Sequence, residues 1–132
     1  MIVVNFSHPL TGEQQARIEA ITEERIKRLI EVACQMDTEQ PFDVQIVELA
    51  DQVGLSAYEW QAEDILVNYP ALAPAAVAMA AELHGRTGHF PPALRLKRTS
   101  DTLPRFVVAE IVYLDAIRRE ARGATIAESI AQ

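Results

Sequence analysis

The sequence predicts an α/β fold, a three-layer sandwich of helices around a mostly parallel sheet, and three observations carry that expectation. Two short apolar runs, Ile2-Val3-Val4 and Ile65-Leu66-Val67, each end in an asparagine with a proline close behind, as strands covered on both faces do when they deliver polar groups to a sheet edge. Between and after them, apolar residues recur at helical spacing, and strands alternating with helices of this length give a parallel sheet with right-handed crossovers. Near the C-terminus, two apolar segments separated by a polar connection read as an antiparallel hairpin.

Bulk properties set the limits. The chain has 132 residues, 49% of them hydrophobic, which suits one domain over residues 1–123 followed by a loosely ordered small-residue tail, 124–132. No apolar run approaches membrane-span length, and Met1 leads into the first strand without a leader pattern. Cys34 is the single cysteine, so no internal disulfide can form, and a cytoplasmic protein without membrane partners is expected. A net charge of -7 argues against duplex nucleic acid as a partner, since such binders present basic stripes. It still permits a small nucleotide held by backbone N–H groups and an arginine or two.

The elements follow in order. The opening strand ends at Asn5, and Pro9 bars its continuation. Thr11 with Gln14 forms a capping box for a first helix whose buried stripe includes Ile18 and Ile21. Ile30, Val32, Cys34 and Met36 alternate with more polar residues, predicting a second, half-covered strand. Phe42, Ile46, Leu49, Ala50 and Val53 mark one face of a helix opened by Pro41 and closed by Gly54. Ser56 with Glu59 is a second capping box, starting a short helix that carries Trp60. The strand ending at Asn68 comes next, then an alanine-rich helix from Leu72 to His84 with Pro74 near its start. Gly85 is its expected C-cap, with Gly85 to His89 a tight loop. Leu94 and Leu96, then Phe106 to Leu114, form the hairpin strands, and Asp115 is placed to cap a last basic helix through Arg118, Arg119 and Arg122. The shape is Rossmann-like, yet neither G-x-G-x-x-G nor G-x-x-x-x-G-K-[ST] occurs, so no dinucleotide or NTP fingerprint is present and no cofactor is expected.

Ligands of open α/β sheets bind beyond the carboxyl ends of the strands, where strand order reverses. Asn5, Phe6, Ser7 and His8 at one strand end, and Asn68, Tyr69 and Pro70 at another, are therefore candidate ligand-binding residues. A buried asparagine costs about 1–3 kcal/mol unless hydrogen-bonded, so Asn5 and Asn68 either satisfy loop backbone or contact a ligand, and an asparagine amide suits adenine. His8 is the one catalytic candidate, as acid, base or phosphate donor. Arg86 in the glycine-flanked loop is the expected phosphate ligand, with His84 and Thr87 beside it, although a histidine in a last helical turn is commonly a cap or dipole partner. The histidine spacings match no zinc motif and no metal is expected. Trp60 and Tyr69 read as core or interface aromatics rather than as base-stacking platforms.

Three stretches add a resemblance. Asn5-Phe6-Ser7-His8-Pro9-Leu10-Thr11, then Leu55-Ser56 with Glu59-Trp60-Gln61, and above all 81–92, Ala-Glu-Leu-His-Gly-Arg-Thr-Gly-His-Phe-Pro-Pro, make the chain similar to a small family of Csx-type CRISPR-associated accessory proteins of type III systems, the fifteenth of that series. The likeness extends through Pro104-Arg105-Phe106 and Ala109-Glu110-Ile111. It implies a compact CARF-like domain that binds a cyclic oligoadenylate messenger, cyclic tetra-adenylate foremost. It also implies a homodimer or higher oligomer on ligand binding, because a two-fold ring suits an isologous pair. Two mechanisms follow: a sponge that sequesters the messenger, or a metal-independent ring nuclease that aligns a ribose 2′-hydroxyl on its phosphodiester. Sequestration is favoured, since no pair of titratable residues is placed for acid–base work. A protein-interaction domain without ligand chemistry is the remaining reading.

Overall fold

A computed structural model describes residues 1–131, with side chains described through residue 124. Its elements are β1 (Ile2–Asn5), α1 (Gly12–Thr22), β2 (Arg28–Glu31), α2 (Phe42–Gln52), α3 (Ala57–Ala62), β3 (Ile65–Asn68), α4 (Ala73–Thr87), β4 (Ala93–Arg98), β5 (Phe106–Val112) and α5 (Leu114–Ala131). They form one five-stranded sheet in the order β2-β1-β3-β4-β5, parallel except for the antiparallel β4–β5 pair. The expected α/β sandwich with its C-terminal hairpin is the fold of the protein.

Alternation along the central strands builds a core on each face. Ile2 and Val4 of β1 and Ile65 and Val67 of β3 point to the side covered by α2, α3 and α4, where Ile46, Leu49, Trp60, Met79 and Leu83 are buried. Val3 and Leu66 point the other way, onto Ile18 of α1 and onto Leu94, Val108 and Ile111 of the hairpin. All four residues of β1 and of β3 are buried, which explains why both read as unbroken apolar runs. Both capping boxes form: Thr11 with Gln14 opens α1, and Ser56 with Glu59 opens α3.

Four boundaries differ from expectation. The second strand is shorter and earlier, because β1 stops at Asn5 and leaves it no partner: Val32 N–H still donates to Asn5 O at 2.9 Å, and residues 33–36 then continue outside the sheet. Helix α4 runs through Gly85 to Thr87, and Gly88, at φ 87°, is the left-handed cap whose N–H donates to His84 O at 2.8 Å. A glycine inside a helix costs about 1 kcal/mol and is tolerated, so the downstream glycine is free to end it. Strand β5 ends at Val112, and Leu114 opens α5. Asp115 sits inside the first turn of α5 rather than capping it, accepting from Phe90 N–H at 3.3 Å and from Arg119 at 2.7 Å, and these bonds hold its carboxyl below the usual carboxylate range. Helix α5 passes Gly123 and runs on to Ala131 through the segment expected as a loose tail, 124–132, in which only the side chain of Ala124 is described.

No helix among the described residues is long and apolar enough to cross a membrane.

Candidate functional site

The order β2-β1-β3-β4 makes the gap between β1 and β3 the point of reversal: from β1 the chain crosses to β2 on one side, from β3 to β4 on the other. Here Asn5 and Asn68 are direct neighbours in the parallel register, and Asn68 Nδ2 donates to Asn5 Oδ1 at 2.9 Å. Ser7 N–H donates to the same oxygen at 2.9 Å, while Asn5 Nδ2 donates to His8 O at 2.8 Å and to Glu31 Oε2 at 3.4 Å. The fully buried Asn5 thus uses both donors and both acceptor sites inside the protein. Its role is to fold the Ser7–Pro9 loop over the strand end. Of the two alternatives for this residue, the structure shows loop satisfaction.

That loop forms a ridge with a groove on each side. The first groove lies between it and the extended 32–36 segment, with Phe6, His8, Glu31, Cys34, Met36 and Pro70 among its lining. Burial pushes the Cys34 thiol above its ordinary value, in keeping with a packed wall rather than a reactive centre. The second groove lies between the ridge and the hairpin, lined by Ser7, His8, Asn68, Tyr69, Arg105 and Phe106. Its far wall exists because β4 starts level with Val67, so the hairpin runs on past the end of β3. Gln14 Nε2 donates to Phe106 O at 2.9 Å and ties that wall to the start of α1. Tyr69 donates its hydroxyl to Pro91 O at 3.0 Å, and burial holds that hydroxyl far above the ordinary phenol value.

Helix α4 opens beside Pro70 and Leu72 with no side-chain cap, Pro74 in its first turn carries no N–H, and Ala76 N–H donates to Leu72 O at 2.9 Å. Arg105 is the arginine that borders the second groove, held to Glu13 at 3.2 Å. Sequence reading missed Arg105 and Phe106 as site residues, since only the strand register brings them here; the Pro104-Arg105-Phe106 stretch was the available signal. Among the described residues, no three His, Cys, Asp or Glu side chains gather as around a metal ion.

Six of the ten expected ligand residues line these grooves, Asn5 lies buried at the strand end beneath them, and three sit elsewhere. His84, Arg86 and Thr87 sit at the far end of α4, about 20 Å along its axis from the crevice, because a crossover helix begins at the carboxyl edge of a parallel sheet and must end at the amino edge. There Arg86 donates to Glu82 and Asp51 at 2.9 and 2.8 Å, and its guanidinium lies 5.9 Å from the ring centre of Trp60. The arginine expected in a phosphate-binding loop is a helical residue covering a buried indole. Thr87 Oγ1 is spent on Leu83 O and His89 O, and His84 packs on Phe90 with ring centres 4.4 Å apart. Arg86→Ala is expected to lower the unfolding free energy by about 1–3 kcal/mol while leaving ligand affinity at the crevice unchanged. A loss of affinity at an unchanged urea midpoint would return Arg86 to the site.

No family model, no curated protein and no solved structure matches the chain.

Proposed function

We propose that the protein binds a cyclic oligoadenylate, cyclic tetra-adenylate in the first instance, and lowers the free messenger by sequestration. The observation that carries this reading is the pair of grooves that share Ser7, His8 and Pro9 at the reversal point, together a trough extending to either side of the two asparagines. An extended polyanion with flat bases suits such a trough better than a compact substrate does. Arg105 offers positive charge to a phosphate on a protein whose net charge is -7. The resemblance to the Csx-type family lies partly at this trough, through Asn5 to Thr11, and partly at the Trp60–Arg86 packing, where it reflects fold rather than ligand.

Sequestration is preferred to cleavage because the trough lacks an oriented acid–base pair. No hydrogen bond or ion pair to the His8 imidazole orients it among the described residues, and Glu31, the carboxylate in the first groove, lies within 3.4 Å of the amide of Asn5. A two-fold ring would engage two copies of the chain, giving a homodimer around the ligand. Isothermal titration with cyclic tetra-adenylate is expected to show binding at micromolar protein. Chromatography of the nucleotide after hours with excess protein in EDTA should return it intact. Linear products bearing a 2′,3′-cyclic phosphate would replace the sponge with a ring nuclease, and an absence of heat would leave the protein-interaction reading.

A further inference from the structure

The two asparagines at the reversal point are not equivalent. Asn5 is saturated, but Asn68 donates one N–H to Asn5 and its Oδ1 accepts no hydrogen bond among the described residues. Asn68 is only 6% exposed, and its Oδ1 is not among the buried polar atoms shut off without a partner; within that group the described side chains contribute Trp60 Nε1 alone. The open acceptor therefore reaches solvent through the second groove, which Asn68 lines. An amide oxygen held at the groove with a free valence favours a ligand that brings an N–H donor, which takes the place of water on it at a modest net gain.

Two other residues of the same groove narrow the class. Phe106 is 58% exposed at the start of β5, an aromatic face left open on the groove's outer wall. Bases stack on such faces, and loss of the aromatic typically costs about tenfold or more in affinity. Arg105, the adjacent residue, bonds Glu13 through Nη1 at 3.2 Å and has Asp101 Oδ2 4.0 Å from its Nε, and a guanidinium has five donors in all. A donor-bearing flat ring with an anion attached is a nucleotide whose base carries an exocyclic amine.

We infer that the groove between β3 and the hairpin is a base-selective pocket in which an adenine-type exocyclic amine donates to Asn68 Oδ1, the ring lies on Phe106 and the phosphate turns toward Arg105. This rests on the nucleotide reading of the trough and adds to it the chemistry by which one base is chosen. Hypoxanthine differs from adenine by a carbonyl in place of the amine, so it would set an acceptor against Asn68 Oδ1.

The test compares adenosine 5′-monophosphate with inosine 5′-monophosphate, and cyclic tetra-adenylate with its inosine counterpart, on the full chain. Affinity is read by titration, and position by NMR of the Asn68 side-chain amide and the Phe106 ring. The adenine member of a pair is expected to bind at least about tenfold more tightly. It should shift both signals, and Phe106→Ala should weaken it by about tenfold at an unchanged urea midpoint. Equal affinities for adenine and hypoxanthine, or adenine binding that leaves Asn68 unmoved, overturn the pocket while leaving the trough as a ligand site. Discrimination between the monophosphates without binding of either cyclic ring keeps the pocket and removes the messenger. Silence toward all four nucleotides removes both.

Discussion

Asn5→Leu is expected to remove about 3–5 kcal/mol of stability, a large share of what a domain of this size holds. Leucine keeps the branching of the amide, with somewhat more bulk, but leaves Ser7 N–H, His8 C=O and Asn68 Nδ2 without their shared partner, each within 2.9 Å of it in the native protein. Groups stranded in this way cost about 1–3 kcal/mol each where water cannot reach them. Urea unfolding measures the loss, and a change below about 1 kcal/mol would mean that the loop finds other bonds. Because Asn5 and Asn68 share one oxygen, Asn5→Leu combined with Asn68→Leu should cost less than the sum of the two single changes. The same network explains why a polar residue is kept at the heart of the sheet: it gives the Ser7–Pro9 ridge a fixed shape against which both grooves are formed.

The second large effect belongs to Phe6. Its ring is 1% exposed within the core beneath α2 and α4, and its N–H extends the ladder to Asn68 O at 2.9 Å. Phe6→Ala should cost about 3–5 kcal/mol, the lost burial together with the cavity left behind. It also lines the first groove, so ligand affinity should fall with stability. Phe6→Leu, which keeps most of the volume, separates the two roles. Its stability loss should be no more than about 1.5 kcal/mol, with any further loss of affinity read directly by titration. A stability change below about 1 kcal/mol for Phe6→Ala would place the ring outside the packed core.

What could be read from the chain follows the range of the interactions concerned. The capping boxes at Thr11 and Ser56 are local, so residue identity and spacing reveal them, and the structure contains both. The runs ending in Asn5 and Asn68 announce burial on two faces, which composition alone reports. Even their meeting was foreshadowed, since parallel strands ending in like residues share an edge. The position of Arg86 was not legible in the same way. Choosing Gly85 over Gly88 as the cap put Arg86 in a loop, and neglect of helix direction then put that loop at the wrong edge of the sheet. The shortfall at Val32 to Met36 has a similar origin: period-two alternation records which residues face the core, and an extended wall satisfies it without a hydrogen-bonded partner. Placing Arg105 and Phe106 required the register of the hairpin against β3, which is set across the whole domain and which the Pro104-Arg105-Phe106 stretch does not itself encode.

The outer edge of β5 bears on how two copies could share one ring. Two β5 strands joined edge to edge in antiparallel fashion would be related by an axis perpendicular to the sheet, and that operation turns the partner end for end. Each trough would then open at an opposite rim of a ten-stranded slab, too far apart for a single messenger to touch both. Sheet extension through β5 and the sharing of a ring would thus exclude each other under the proposed function. A messenger gripped by two copies demands that they meet rim to rim, with the sheet edges left free on the outside.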